Sequence, residues 1–162
     1  MPNANESSAI STASQVDDLV ITRVFNAPQA LVFAAWTEPQ HLAHWSGPTG
    51  FTTPHSSMDL RPGGHYRACL RSPDGVDHWL QGTYKEIDPP KRLVMTHAWE
   101  DEQGKPGPAT LITVRLTQEG PGRPRMVFRQ SGFTSVASRD GHDGGWSGSF
   151  DKLAAHVEGA QP

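Results

Sequence analysis

Gly145-Trp146-Ser147-Gly148-Ser149-Phe150-Asp151-Lys152-Leu153-Ala154-Ala155-His156-Val157 is the stretch on which the fold turns. Trp146, Phe150, Leu153, Ala154 and Val157 follow one another at intervals of four, three, one and three. That spacing draws a single apolar stripe on an α-helix. Asp143, Asp151, Lys152 and Glu158 fall mostly on the other side. Gly144, Gly145 and Gly148 work against the helix, each by about 1 kcal/mol relative to alanine. Two outcomes stand open: the helix frays at its start, or the missing side chains let the sheet or a ligand come close. Either way the stripe needs a large apolar surface to lie on.

The chain before it supplies one. Leu19–Phe25, LVITRVF, is β-branched and alternating and reads as a first strand. Pro28 opens a helix with Leu31, Val32, Ala35 and Trp36 on one face, and Pro39 starts a second short one carrying Leu42 and Trp45. Five strands are then predicted in a row, over 52–60, 65–71, 78–87, 93–99 and 110–117, with a sixth over 125–131. Between them lie turn residues: Arg61-Pro62-Gly63-Gly64, Ser72-Pro73-Asp74-Gly75, Asp88-Pro89-Pro90, residues 104–108 and Gly120-Pro121-Gly122. Connections this short make hairpins, so the sheet is expected to be antiparallel. The order is β-α-α, six strands, then α. One long amphipathic helix must lie across such a sheet to cover it. Strong curvature around a single helix leaves a space that side chains need not fill.

Composition narrows the class. The length of 162 residues suits one domain, expected over 18–159, after a polar tail over 1–17 that is too poor in apolar groups to order itself. A net charge of −3 gives no electrostatic footprint for nucleic acid or an anionic membrane. No apolar run approaches a membrane span. The single cysteine, Cys69, cannot form an intramolecular disulfide, which fits a reducing, cytoplasmic setting and leaves no cysteine-based zinc site. Cys69 reads as a small apolar strand residue.

Strand alternation selects the residues that could carry chemistry. Leu93, Met95, His97 and Trp99 share one face, and three large apolar groups mark it as inward. His97 is then a titratable group on an apolar wall, kept neutral by burial and able to give or take one hydrogen bond. It is also the weak candidate for a catalytic base, against a plain reading as a buried histidine satisfied by a neighbour. Phe128 and Gln130 share a face with Met126, and a buried amide such as Gln130 needs a partner from protein, water or ligand. Tyr66 and Tyr84 lie on strands with one apolar face. Trp45 and Phe51 are candidate walls of a cavity mouth, and Trp146 and Phe150 of its helical side. Asp59 and Arg61 read as a turn-stabilising pair, and Glu86 as a buried partner for Arg92 or Arg129. His41 and His44 stand three apart on the second short helix, but a third ligand is missing locally, so no metal and no cofactor are expected. There is no Gly-x-Ser-x-Gly elbow, and Pro62-Gly63-Gly64 opens no helix as a phosphate loop would.

Several motifs together resemble a known family. Phe25-x-Ala27-Pro28-x-x-Leu31-Val32-Phe33-x-x-Trp36 is similar to the opening of the START-type, Bet v 1-like helix-grip superfamily, SRPBCC. Pro39-x-x-Leu42-x-x-Trp45-x-Gly47-Pro48, Asp59-Leu60-Arg61-Pro62-Gly63-Gly64 and Gly82-x-Tyr84-x-Glu86-Ile87-x-x-Pro90-x-Arg92-Leu93 narrow it, as does Gly145-Trp146-x-x-x-Phe150-x-x-Leu153. Over about residues 18 to 158 the chain resembles the bacterial branch of the family named for homologues of the activator of the heat-shock-protein-90 ATPase. The resemblance implies a helix-grip fold, α+β, with a curved seven-stranded antiparallel sheet around a long C-terminal helix and a cavity between them. Wider relatives bind lipids, sterols and phenolics or cyclise polyketides. The expected function is therefore binding of a small, largely apolar or aromatic molecule. An enzyme of the cyclase, dehydratase or hydrolase type, with His97 and Tyr84 or Glu86 as acid and base, is the alternative. A stress-response, co-chaperone-like interaction module is the second alternative; the chaperone-binding N-terminal domain of the eukaryotic activator is not expected in the polar tail. A homodimer is possible in such a family.

Overall fold

The structure is a computed structural model, and it describes residues 16–159. The disordered tail expected over 1–17 falls outside those residues, except for Asp17, which is exposed, and Val16, which packs partly against the core.

The alternating stretches form seven strands: β1 (Leu19–Val24), β2 (Thr52–Met58), β3 (His65–Arg71), β4 (Asp77–Asp88), β5 (Arg92–Trp99), β6 (Thr110–Gly120) and β7 (Arg123–Ser131). They make one sheet in the order β1-β7-β6-β5-β4-β3-β2, antiparallel throughout. From β2 to β7 the chain is a plain meander, as the short turns require. The two helices that follow β1, α1 (Gln29–Thr37) and α2 (Pro39–Trp45), carry it to the far edge. Pro28 stands just outside α1, with φ −61° and ψ 142°, and Pro39 is the first residue of α2.

Register shifts bend the sheet, two of them beside the inner face of β2–β5 and a third near the β6–β7 turn, between Gln118 and Gly120. The pairing of β4 with β5 shifts between Tyr84 and Glu86, and that of β2 with β3 between Thr52 and His55. An extra residue on one strand increases local twist and turns the strand. Gly82 allows a further close approach. A Cβ there would sit 2.0 Å from the carbonyl oxygen of Thr96 and 2.6 Å from the ring and hydroxyl of Tyr66. The absent side chain lets the Tyr66 ring lie across β4 and its hydroxyl donate to the Thr96 carbonyl.

The last helix, α3, runs Val136–Gly159, so it begins ten residues before the apolar stripe. It does not fray at its glycines, and the sheet does not approach them. The loop between α2 and β2 does. A Cβ on Gly148 would lie 2.7 Å from Thr49 Oγ1, and one on Gly145 would lie 3.5 Å from Pro48 Cγ. Lys152 holds the same loop, its ammonium donating to the carbonyls of Ser46 (3.2 Å), Pro48 (3.1 Å) and Phe51 (3.4 Å). Ser149 Oγ lies 3.0 Å from the Trp45 carbonyl and 2.8 Å from that of Gly47. On the other side Arg23 of β1 reaches Asp151 at 2.9 Å.

Phe150, Leu153 and Val157 are fully buried against the β1-β7-β6 half of the sheet, with Phe128, Met126 and Val32. The helix thus seats on one half of the sheet and spans the other. Among the described residues no helix is long and apolar enough to cross a membrane.

Candidate functional site

Where α3 stands off β3, β4 and β5, a cavity of about 500 Å³ remains. Its sheet wall is the inner face of three strands: Tyr66, Ala68 and Leu70 from β3, Leu80 and Tyr84 from β4, and Met95, His97 and Trp99 from β5. Each set follows the period of two that a strand demands. Trp36, Leu42 and Trp45 close one end from α1 and α2, and Gly47, Pro48 and Phe51 from the next loop close a side. The roof is the first half of α3: Ala137, Ser138, Gly141, His142, Gly145, Trp146 and Ser149. These positions recur at helical spacing, and the small ones among them keep the space open. Exposed His78, Trp99 and Gly141 mark the side that faces solvent.

Polar groups in this wall are few and individually placed. His97 is 5% exposed, with its ring edge-on to Trp99 and His142 at centroid distances of 5.3 and 6.0 Å. Burial, reinforced by the neighbouring His142 ring, lowers its pKa from the ordinary 6.5 to about 4. His97 is therefore a neutral imidazole at neutral pH. Burial also pushes the hydroxyls of Tyr66 and Tyr84 upward, so both stay protonated. His142 bridges roof and wall. Its Nδ1 lies 2.7 Å from the Ser138 carbonyl, and its Nε2 lies 3.0 Å from Trp99 Nε1. An indole only donates and a carbonyl only accepts, so Nδ1 carries the proton and Nε2 the lone pair.

Eight residues singled out from the sequence come together here: Trp45, Phe51, Tyr66, Tyr84, Met95, His97, Trp99 and Trp146. Phe128, Gln130 and Phe150 were expected on the same wall and lie elsewhere. Phe128 and Phe150 meet edge to face at 5.2 Å in the solid core, because α3 seats directly on β7 there. Gln130 has its partners within the protein. It donates to Thr110 Oγ1 at 2.8 Å and accepts from the Trp146 indole at 2.9 Å, clasping β7 to α3. Glu86 pairs with Arg92 at 2.7 Å, as one of its two expected partners, but at the surface rather than buried, since β4 passes its bulge at that point. Asp59 and Arg61 form the local pair expected, at 2.7 Å. Cys69 is buried, and desolvation raises its thiol pKa.

Sequence reasoning placed Trp36 in the core face of its helix and passed over Leu80, His78 and the roof residues Ala137 to His142. The 138-142-145-149 spacing was the available signal, hidden because none of those residues is large and apolar. His41 meets His156 at 2.8 Å, and His44 stacks on the same ring at 4.7 Å. Among the described residues no group of three or more such side chains could hold a metal ion.

A curved antiparallel sheet gripping a C-terminal helix, with a lined hollow between, defines the helix-grip class. The chain belongs to the family described as Activator of Hsp90 ATPase homolog 1-like protein, whose model matches residues 26–158. A protein of Chromobacterium violaceum is similar in structure, with 28% identity, a TM-score of 0.76, and coverage of 87% of this chain and 96% of that one. The AHSA1 protein of Silicibacter pomeroyi has 23% identity and a TM-score of 0.77, over 86% and 96% of the two chains. A protein of Arthrobacter aurescens has 22% identity and a TM-score of 0.77, over 90% and 87%. These likenesses bear on the fold. No protein of curated function matches the chain.

Proposed function

We propose that this protein binds a small, largely apolar molecule in the cavity between β3–β5 and α3. The observation that carries the reading is the hollow itself: about 500 Å³ walled by aromatic and aliphatic side chains in a protein whose other half is solidly packed. Interiors normally fill to the density of organic crystals, and an empty space forfeits the contacts its lining could make. A hollow of this size falls within the range of ligand pockets, roughly 300–1,000 Å³, and has their make-up of many apolar groups with a few fixed polar ones. The small residues of the roof support the same reading, since Ala137, Gly141 and Gly145 hold the space open where larger groups would close it.

The test is native mass spectrometry of protein purified from its own host, together with a thermal-shift screen of aromatic and aliphatic compounds. A ligand that binds only the folded state raises the melting temperature by mass action. Ala68→Trp, which fills the hollow from the sheet side, is expected to abolish the shift and leave the protein folded. No co-purifying molecule and no shift with any compound would overturn the reading.

A further inference from the structure

Resting on that binding reading, the wall also decides which class of molecule is held. Among the described residues, none of the cavity-lining side chains is an aspartate, glutamate, lysine or arginine. His97, Tyr66 and Tyr84, at its centre, are neutral at neutral pH. His97 is sealed among Trp99, His142 and Trp146. The hydroxyl of Tyr66 donates to the Thr96 carbonyl. His142 is committed on both nitrogens, to Ser138 and Trp99. Lys152, behind the loop that closes one side of the cavity, is spent on three loop carbonyls. An ionised carboxylate or ammonium entering this space would give up its hydration and meet no counter-charge.

An uncharged polar group fares differently. In a neutral imidazole one nitrogen donates and the other accepts. The ring of His97 lies against its own main-chain carbonyl, which favours a proton on the nearer nitrogen. The other nitrogen then carries a lone pair, and His97 lines the cavity. Tyr84 lies beside it on the neighbouring strand, opposite Met95 in register, and its ring also faces the cavity. His97 and Tyr84 are thus diagonal neighbours on one sheet face, within reach of the same ligand group.

We propose that the cavity selects uncharged molecules, and that its ligand is an alcohol with an apolar, ring-sized body whose hydroxyl donates to the free ring nitrogen of His97. The body lies among Trp36, Leu80, Met95 and Trp146. Tyr84 offers its own hydroxyl to the same oxygen.

Four compounds of one shape test this by calorimetric titration of the intact protein at neutral pH: 2-naphthalenemethanol, 2-methylnaphthalene, 2-naphthoate and 2-naphthylmethylammonium. The alcohol is expected to bind about five- to tenfold tighter than the hydrocarbon, the worth of one neutral hydrogen bond. Both ions are expected to bind at least about a hundredfold more weakly than the alcohol, from unrepaid desolvation. In His97→Leu the alcohol's advantage over the hydrocarbon disappears while the hydrocarbon still binds. His97→Gln, which keeps an acceptor, retains part of it. A carboxylate or ammonium that binds as tightly as the alcohol overturns the proposal and leaves the binding function standing. An alcohol no better than the hydrocarbon in the unaltered protein overturns the role of His97. If no compound of the four binds, including the hydrocarbon, the binding function falls and this proposal with it.

Discussion

Acid should weaken this protein through the single imidazole of His97. In the folded state burial holds its pKa at about 4, against an ordinary 6.5. Above 6.5 the ring is neutral in both folded and unfolded chains and contributes nothing to the balance. Between 6.5 and about 4 the unfolded chain takes up a proton that the folded one refuses. Unfolding then binds a proton, so stability falls as pH falls, by up to about 1.4 kcal/mol per pH unit. Over the whole window the loss amounts to about 3 kcal/mol, a large share of the roughly 5–15 kcal/mol that holds a typical domain together. Below pH 4 the loss levels off. His156, whose pKa burial and its histidine neighbours also lower, adds to the upper part of the decline. The carboxylates of Glu100 and Asp77 lie below their usual range through hydrogen bonds from Arg67 and Arg71, and they add to the decline at its acid end. The contribution of His97 is isolated by His97→Gln, which cannot titrate. Urea denaturation of both proteins at pH 7.5, 6, 5 and 4 gives the comparison. The difference in unfolding free energy should move by about 3 kcal/mol in favour of the variant across the series. Parallel profiles would mean that the ring takes up its proton as readily in the fold as out of it, and the account of a buried, neutral His97 would fail.

Three further outcomes follow from named contacts. Gly82→Ala places a methyl 2.0 Å from the Thr96 carbonyl oxygen, and should cost at least about 3 kcal/mol in denaturant unfolding, since backbone cannot give way cheaply. Two glycines of α3 should respond in opposite directions. Gly144→Ala meets nothing within 4 Å and should gain about 1 kcal/mol of helix propensity, whereas Gly148→Ala drives a methyl to 2.7 Å from Thr49 Oγ1 and should lower the melting temperature. Gln130→Leu leaves the Trp146 indole N–H without its partner, while the Thr110 hydroxyl keeps its bond to the His97 carbonyl, and should cost about 2 kcal/mol, with a change in tryptophan emission reporting the released indole.

Much of the architecture is written in local pattern. Alternation in residues 93–99 and 125–131 assigns strand and face together, because successive side chains must point to opposite sides. Turns such as Ser72-Pro73-Asp74-Gly75 leave no length for anything but a hairpin. The start of α3 escaped that logic for a physical reason. From Val136 to Gly145 its inner side looks into open space, so nothing requires large apolar residues there, and a stripe was legible only from Trp146 onward. The site was legible to the same extent. His97 and Tyr84 could be assigned to the inner face from alternation, but Gln130 has the same alternation and is consumed by Thr110 and Trp146.

By itself, then, the order of residues determined the strands, the hairpin pairing from β2 to β7 and which side of each strand is apolar, since all of these follow from the period of two and from turn chemistry acting over a few residues. Tertiary structure alone decided where the helix touches the sheet and where it does not. That choice depends on long-range contacts: Phe150 seated on Phe128, Lys152 and Gly148 drawing in the loop at Thr49, and Gly82 admitting the Tyr66 ring. Inward-facing residues on β7 thereby became core and those on β3–β5 became cavity wall, a distinction that no local period encodes.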